Sequence, residues 1–275
     1  MSIHLQPLSG PLSVPIPTGV EEGEAISFRN IGVSYADARG EPVAAIAGLD
    51  LQIEPGTFVS IVGPSGCGKS TLLRVLAGLV TPVTGEALIG GQPAAGTARR
   101  LGFMFQRDTL LPWATVADNI RVGTDLAGLA PAAARARLAE LVEFIRLQGF
   151  ENHRPHQLSG GMRQRVSLGR LLAYEPDIYL MDEPFGALDS QTKSAMGREL
   201  LRIWAKFRRT VIFVTHDIEE AVTLSDRVVV MAARPGRIVL DQRIDLPRPR
   251  DARTLRKDPK YRDLVDVIWQ HIETP

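Results

Sequence analysis

Apolar and polar positions change period several times along this chain, and the changes mark out its elements. Ile26-Ser27-Phe28-Arg29 and Leu49-Asp50-Leu51-Gln52-Ile53 alternate as half-buried strands do, and Thr57-Phe58-Val59-Ser60-Ile61-Val62 reads as a third strand. The third ends in glycine, and the apolar positions from Ser70 to Gly78 then recur at helical spacing up to a glycine stop. Ile178-Tyr179-Leu180-Met181 and Val211-Ile212-Phe213-Val214 are unbroken apolar runs, as expected of strands covered on both faces of a parallel sheet. Helical patterns over Gly161–Ala173, Gln191–Phe207 and Asp217–Leu224 separate the later strands, which predicts an α/β arrangement. The segment Pro131–Gln148 opens on proline, a good first helical residue, and places Leu138, Leu141, Val142 and Ile145 on one side. It predicts a helical insert. No internal repeat is visible, and the proline-rich start, residues 1–25, lacks periodicity and predicts a loose tail.

Composition narrows the class. The chain has 275 residues, 44% hydrophobic and 23% charged, enough for one large domain or two small ones. Its 32 Lys and Arg against 31 Asp and Glu leave a net charge of +1, without the basic field on which duplex binding relies, so no nucleic-acid partner is expected. The single cysteine, Cys67, forms no internal disulfide, and no secretory leader pattern opens the chain. Apolar runs such as Val228-Val229-Val230-Met231 fall far short of the roughly 20 residues of a membrane-spanning helix. A cytoplasmic protein is expected, with any membrane work done through partners.

Three motifs carry chemistry. Gly63-Pro64-Ser65-Gly66-Cys67-Gly68-Lys69-Ser70 fits G-x-x-x-x-G-K-[ST] between a predicted strand and a predicted helix. Backbone N–H groups and the helix N-terminus there offer positive potential to phosphate oxygens, Lys69 reaches the terminal phosphates, and Ser70 ligates Mg²⁺. Residues 63 to 70 with Thr71 are therefore candidate nucleotide-binding positions. Cys67 beside a helix N-terminus has no paired His or resolving Cys, so sensitivity to alkylation is expected and redox chemistry is not.

Asp182-Glu183 ends a predicted buried strand, where open α/β sheets place ligands. Asp182 suits the Mg²⁺ shell, and Glu183 suits the base that orients and deprotonates a water attacking the γ-phosphate. Thr215-His216-Asp217 follows the next buried strand, which brings His216 within range of the same phosphate or makes it a structural residue. No N-K-x-D tetrad for guanine is present, which favours ATP over GTP.

The third motif, Leu158-Ser159-Gly160-Gly161-Met162-Arg163-Gln164-Arg165-Val166, is a second glycine-rich helix start far downstream of the first. With the phosphate loop, Asp182-Glu183-Pro184 and His216 in this order, the chain resembles an ATP-binding-cassette (ABC) ATPase from about Ile26 to His271. The resemblance implies a P-loop NTPase (RecA-like) α/β core with an antiparallel β-subdomain. It also implies an ABC ATPase domain over residues 26–275, a helical subdomain inserted at about 107–170 and a C-terminal helical tail over 240–275.

It further implies adenine stacking on Tyr35, a flat aromatic face sufficing for a base. Gln106 would meet Mg²⁺ and the attacking water, and Ser159, Gly160 and Gly161 would serve the γ-phosphate bound to a second copy. Ala187-Leu188-Asp189 would run across that interface. The catalytic set is then Glu183, His216, Gln106 and Lys69, and the Mg²⁺ ligands are Ser70, Gln106 and Asp182.

Partners follow from the same resemblance: a homodimer sandwiching two ATP, two transmembrane permease subunits, and a separate solute-binding protein, at the cytoplasmic face of the cell membrane. Trp113, in LLPWATVADNI, is either an anchor for the membrane subunit's coupling helix or a residue buried in the insert. That stretch and the tail Arg234–Arg250 look like the ATPases of nitrate, sulfonate and taurine importers, without the regulatory domain that sugar-importer ATPases append. The basic run Arg248–Lys257 is interrupted by Asp251 and reads as solvated surface. A non-transport ABC ATPase acting on ribosomes or DNA would commonly carry two cassettes or a coiled-coil insertion, and a P-loop kinase would not need LSGG.

Overall fold

The computed structural model describes residues 24–96 and 101–273, so the predicted loose start falls almost wholly outside the described residues. In chain order, β1 (Ile26–Ala36) and β2 (Pro42–Ile53) form an antiparallel hairpin, and β3 (Phe58–Val62) leads through the glycine loop into α1 (Lys69–Leu76). β4 (Thr84–Ile89) and β5 (Gln92–Pro93) return to the hairpin, and β6 (Leu101–Met104) precedes α2 (Val116–Leu126), α3 (Pro131–Phe144) and α4 (Gly160–Tyr174). Then follow β7 (Ile178–Asp182), α5 (Ser190–Phe207), β8 (Thr210–Val214), α6 (Ile218–Leu224), β9 (Arg227–Ala232), β10 (Arg237–Arg243), α7 (Ala252–Leu255) and α8 (Pro259–Glu273). The 240–275 segment thus opens inside a strand and only later turns helical.

The core sheet has the order β10-β9-β3-β8-β7-β6, parallel except at the β10 edge. Every residue of β3, β7 and β8 is buried, as their unbroken apolar runs require. One face packs against α1 and the β2-β1-β4-β5 sheet through Ile61, Leu72, Leu73 and Phe28. The other receives α2 to α5 through Ile120, Val166, Leu200 and Trp204, and α6 and α8 close over β9 and β10. This is the predicted P-loop α/β core with its antiparallel sheet and its inserted helices.

Two elements depart from the sequence pattern. The hairpin is far longer than its alternating cores, because register shifts between Phe28 and Ser34 break the two-residue period. α3 stops at Phe144 rather than running to Gln148. Arg146 sits at φ 55, and Leu147 N–H donates to Val142 O at 3.0 Å, a left-handed helix ending built without glycine.

Gly123 of α2 lets two helices of the insert touch. A Cβ there would lie 2.3 Å from Arg170 O and 2.7 Å from Ala173 Cβ, so α4's backbone would have to move. Gly123→Ala is expected to destabilise the chain by about 1–3 kcal/mol through overpacking. A urea midpoint equal to wild type would contradict that close approach.

Candidate active site

β3 delivers the chain to Gly63, whose φ of 148 and whose place against Met231 O, 2.2 Å from an added Cβ, admit only glycine. Gly68, at φ 96, caps α1, so the loop's amides turn toward the helix N-terminus. Lys69 is nearly buried, and its ammonium donates to Gly63 O at 2.7 Å and Pro64 O at 3.0 Å, held over the loop it belongs to. Cys67 is fully buried, so the expected alkylation would first require the loop to open. The hydroxyls of Tyr35 and Thr71 lie 3.2 Å apart, which sets the half-exposed tyrosine ring beside the start of α1.

Three neighbouring parallel strands end at this loop. Ser70 Oγ donates to Asp182 Oδ1 at 2.9 Å, and burial pushes the Asp182 carboxyl up against the opposing pull of that hydrogen bond. Beyond β7, Glu183 adopts φ 48, an uncommon conformation for a non-glycine residue and one that turns its side chain out of the strand. Glu183 Oε2 accepts from Gln106 Nε2 at 3.1 Å and lies 3.4 Å from His216 Nδ1. Gln106 follows β6 and His216 follows β8, so β6, β7 and β8 each contribute one group to a single cluster.

The second glycine motif stands at the start of α4. Ser159 is exposed and caps the helix, accepting from Met162 N–H at 3.3 Å. Gly161 faces Ala187 and Leu188, leaving an added Cβ 3.2 Å from Leu188 Cδ2. Asp189 caps α5 through Gln191 and Thr192 N–H, and hydrogen bonding by the Thr192 side chain, with those backbone bonds, holds its carboxyl below the usual range. The structure thus joins Lys69, Ser70, Asp182, Glu183, Gln106 and His216, while Ser159, Gly160 and Asp189 lie on the outer face.

One residue escaped the sequence reading. Gln164, in the middle of LSGGMRQRV, donates to Glu183 O at 2.9 Å and accepts from Ala187 N–H at 2.9 Å. It ties the glycine-motif helix to the turn after the candidate base. Its only sequence signal was its place one helical turn after Gly160 and Gly161, on the face that packs inward.

A strand–glycine-loop–helix unit, with two carboxylates at the end of a parallel strand of the same sheet, defines a P-loop nucleoside triphosphatase. A family profile for ABC transporters matches residues 46–186. An uncharacterized ABC transporter ATP-binding protein of Methanocaldococcus jannaschii is 48% identical over 234 residues, 85% of this chain and 87% of that protein. An aliphatic sulfonates import ATP-binding protein of Bacillus cereus is 43% identical over 234 residues, 84% of this chain and 92% of that protein. Among solved structures, the dimeric ABC transporter cassette MJ0796 superposes with a TM-score of 0.73 at 32% identity, covering 81% of this chain and all of that one. Its post-hydrolysis state bound to ADP and Pi gives 0.72 at 31% identity, with the same coverage. The chain belongs to the ABC transporter family and is an ATPase. Among the described residues, no helix is long and apolar enough to cross a membrane.

Proposed function

We propose that this chain is the ATP-hydrolysing subunit of an importer for a small anionic solute of the alkanesulfonate, taurine or nitrate kind. The observation that carries the solute class is the 43% identity, over 84% of the chain, to an aliphatic sulfonates import ATP-binding protein.

Residues 63 to 71 cradle the triphosphate, with Tyr35 stacking on adenine. Asp182 and the Ser70 hydroxyl, 2.9 Å apart, are hard oxygen donors on one side of the loop and fit Mg²⁺, with Gln106 completing the set. When bound, Mg²⁺ neutralises charge developing on the phosphates. Glu183 orients the attacking water and takes its proton, Gln106 steadies the Glu183 carboxylate, and His216 meets the γ-phosphate. Two copies pair head to tail, so that Ser159, Gly160 and Gly161 of each serve the other's nucleotide, and Asp189 lies at the interface.

The membrane subunits dock on the insert, at the cytoplasmic face of the membrane. Trp113 is 71% exposed, which removes the reading that buries it. Its turn is braced from behind: Asn119, fully buried, bonds Leu111, Ala114 and Thr115, and Arg170 holds Thr109. A rigidly presented tryptophan is the kind of anchor an interface uses. In proteoliposomes with the co-purifying membrane subunits, a solute-binding protein loaded with an alkanesulfonate, taurine or nitrate is expected to stimulate ATP hydrolysis. Trp113→Glu should lower that stimulation about tenfold or more without changing hydrolysis by the isolated chain. Stimulation by none of these solutes would remove the proposed class, and full stimulation of Trp113→Glu would remove the docking site.

A further inference from the structure

The turn that carries His216 is enclosed by a hydrogen-bond ring that no motif accounts for. Thr215 Oγ1 donates to Glu220 Oε2 at 2.5 Å and accepts from Asp217 N–H at 3.1 Å. Asp217 Oδ1 accepts from Glu220 N–H at 3.1 Å, and Asp217 Oδ2 pairs with Lys193 Nζ at 3.1 Å. The ring therefore grips both neighbours of residue 216 while leaving the imidazole exposed on the catalytic side, 3.4 Å from Glu183. Lys193 stands on the first turn of α5, whose cap is Asp189, so the ring also joins the segment Ala187–Asp189 to the turn before α6.

We infer that Glu220 and Lys193 are positioning residues for His216, fixing the turn from β8 to α6 so that the imidazole keeps its place beside Glu183. The inference rests on the proposal that His216 meets the γ-phosphate. Glu220 is only 9% exposed, and among the described residues its Oε1 is buried without a partner. Asp217 already caps α6, so the buried Glu220 carboxyl is not needed as a helix cap, and burying it with one satisfied oxygen is costly.

The same surroundings make the ring sensitive to pH. Glu220 is faced by Lys193 and Arg198 of α5, Glu183 after β7, Asp217 and Glu219 on its own helix, and Arg250 and Arg256 from the segment beyond β10, which lines the same cavity. Desolvation dominates, and the Thr215 hydrogen bond and Lys193 oppose it, leaving the carboxyl pushed up to about 7. Below that pH the group is a neutral acid and accepts weakly from Thr215. Above it the carboxylate accepts with the strength of a charge-assisted bond, and the Thr215 lone pairs turn to Asp217 N–H. The turn therefore tightens, and turnover rises, as pH passes upward through this range.

Steady-state ATP hydrolysis by the full-length chain between pH 6 and 8.5 tests this. Wild type is expected to show an inflection in kcat near pH 7. Glu220→Gln should lose that inflection and lower kcat at pH 8 about 3- to 10-fold, with KM for ATP held within about twofold. Thr215→Val should do the same, which covers the case in which Glu220→Gln does not fold. Lys193→Met should lower kcat at both ends of the range while keeping the inflection. If His216→Ala retains turnover, the underlying proposal for His216 fails. If His216→Ala abolishes turnover but Glu220→Gln and Thr215→Val keep the wild-type kcat and inflection, the positioning role fails by itself.

Discussion

Glu183→Gln is expected to bind MgATP as tightly as wild type and to hydrolyse it about 10²–10⁴-fold more slowly. The amide keeps the size and planarity of the carboxylate. It can still meet Gln106 and His216, which lie 3.1 and 3.4 Å from Glu183 Oε2. It cannot take a proton. Glu183 is not part of the loop that cradles the phosphates, so removing its basicity should leave affinity to residues 63 to 71. The unusual φ of 48 at Glu183 is a property of the turn, supported by Gln164 bonding Glu183 O at 2.9 Å, and glutamine adopts it as readily as glutamate. Single-turnover hydrolysis with nucleotide titration separates the two quantities. A variant that retains most of its turnover would move the base elsewhere in the cluster, and one that fails to bind would show a structural role.

The glycine loop and the acids at strand ends were legible because each is local. A strand, a loop and a helix follow one another within Phe58–Leu76, and an apolar run ending in Asp182-Glu183 needs no distant partner to be read. The parallel sheet then does what parallel sheets do, bringing the ends of β6, β7 and β8 to one edge. What stayed hidden was non-local or lacked its usual marker. α3 ends on a left-handed residue that is not glycine, Arg146, so the usual stop signal was absent and its pattern ran on to Gln148, whereas α4 and α5, ending likewise on Glu175 and Arg208, stop within a residue of where their apolar patterns do. β6 was missed because it contains Gly102, a poor strand former. The glycine is there because an added Cβ would lie 2.4 Å from both Leu171 Cδ1 and Pro176 Cγ.

The site shows the same division. Gln164, Thr215, Lys193 and Glu220 are ordinary residues by type, and their importance comes only from what the fold sets opposite them. Gln164 faces Glu183 O and Ala187 N–H across 19 and 23 positions, and Lys193 faces Asp217 across 24. Hydrogen-bond partners at such separations follow from packing of α4 and α5 on the sheet, which hydrophobic periodicity predicts in outline but not in register. The groups proposed to meet nucleotide were therefore visible in the chain, whereas the groups bonded around them emerged only with the fold.

In the Glu183→Gln background, MgATP is expected to convert the chain from monomer to dimer, and adding Ser159→Arg is expected to abolish that conversion. Ser159 is exposed at the cap of α4, and among the described residues its side chain bonds only Met162 N–H of its own helix. Every structural need is thus met locally, while the motif's open face, Ser159 and Gly160, is turned outward. A helix N-terminus with small residues is suited to approach an anion closely. An arginine there fills the approach and sets its own charge against the Lys69 that would stand across the phosphate. Loss of the cap costs about 1 kcal/mol by itself, too little to unfold α4, whose buried face includes Val166, Leu168 and Leu172. Ser159→Ala isolates that cost: it should keep most of the dimer if bulk and charge are what matter. The mass in solution with and without MgATP reads the result directly. A dimer that survives Ser159→Arg would place the interface away from α4 and return the second glycine motif to a helix cap. Loss of the dimer with an unchanged melting temperature would mean that the motif reads a phosphate held by the other copy, so nucleotide becomes the contact between subunits and its hydrolysis the step that parts them.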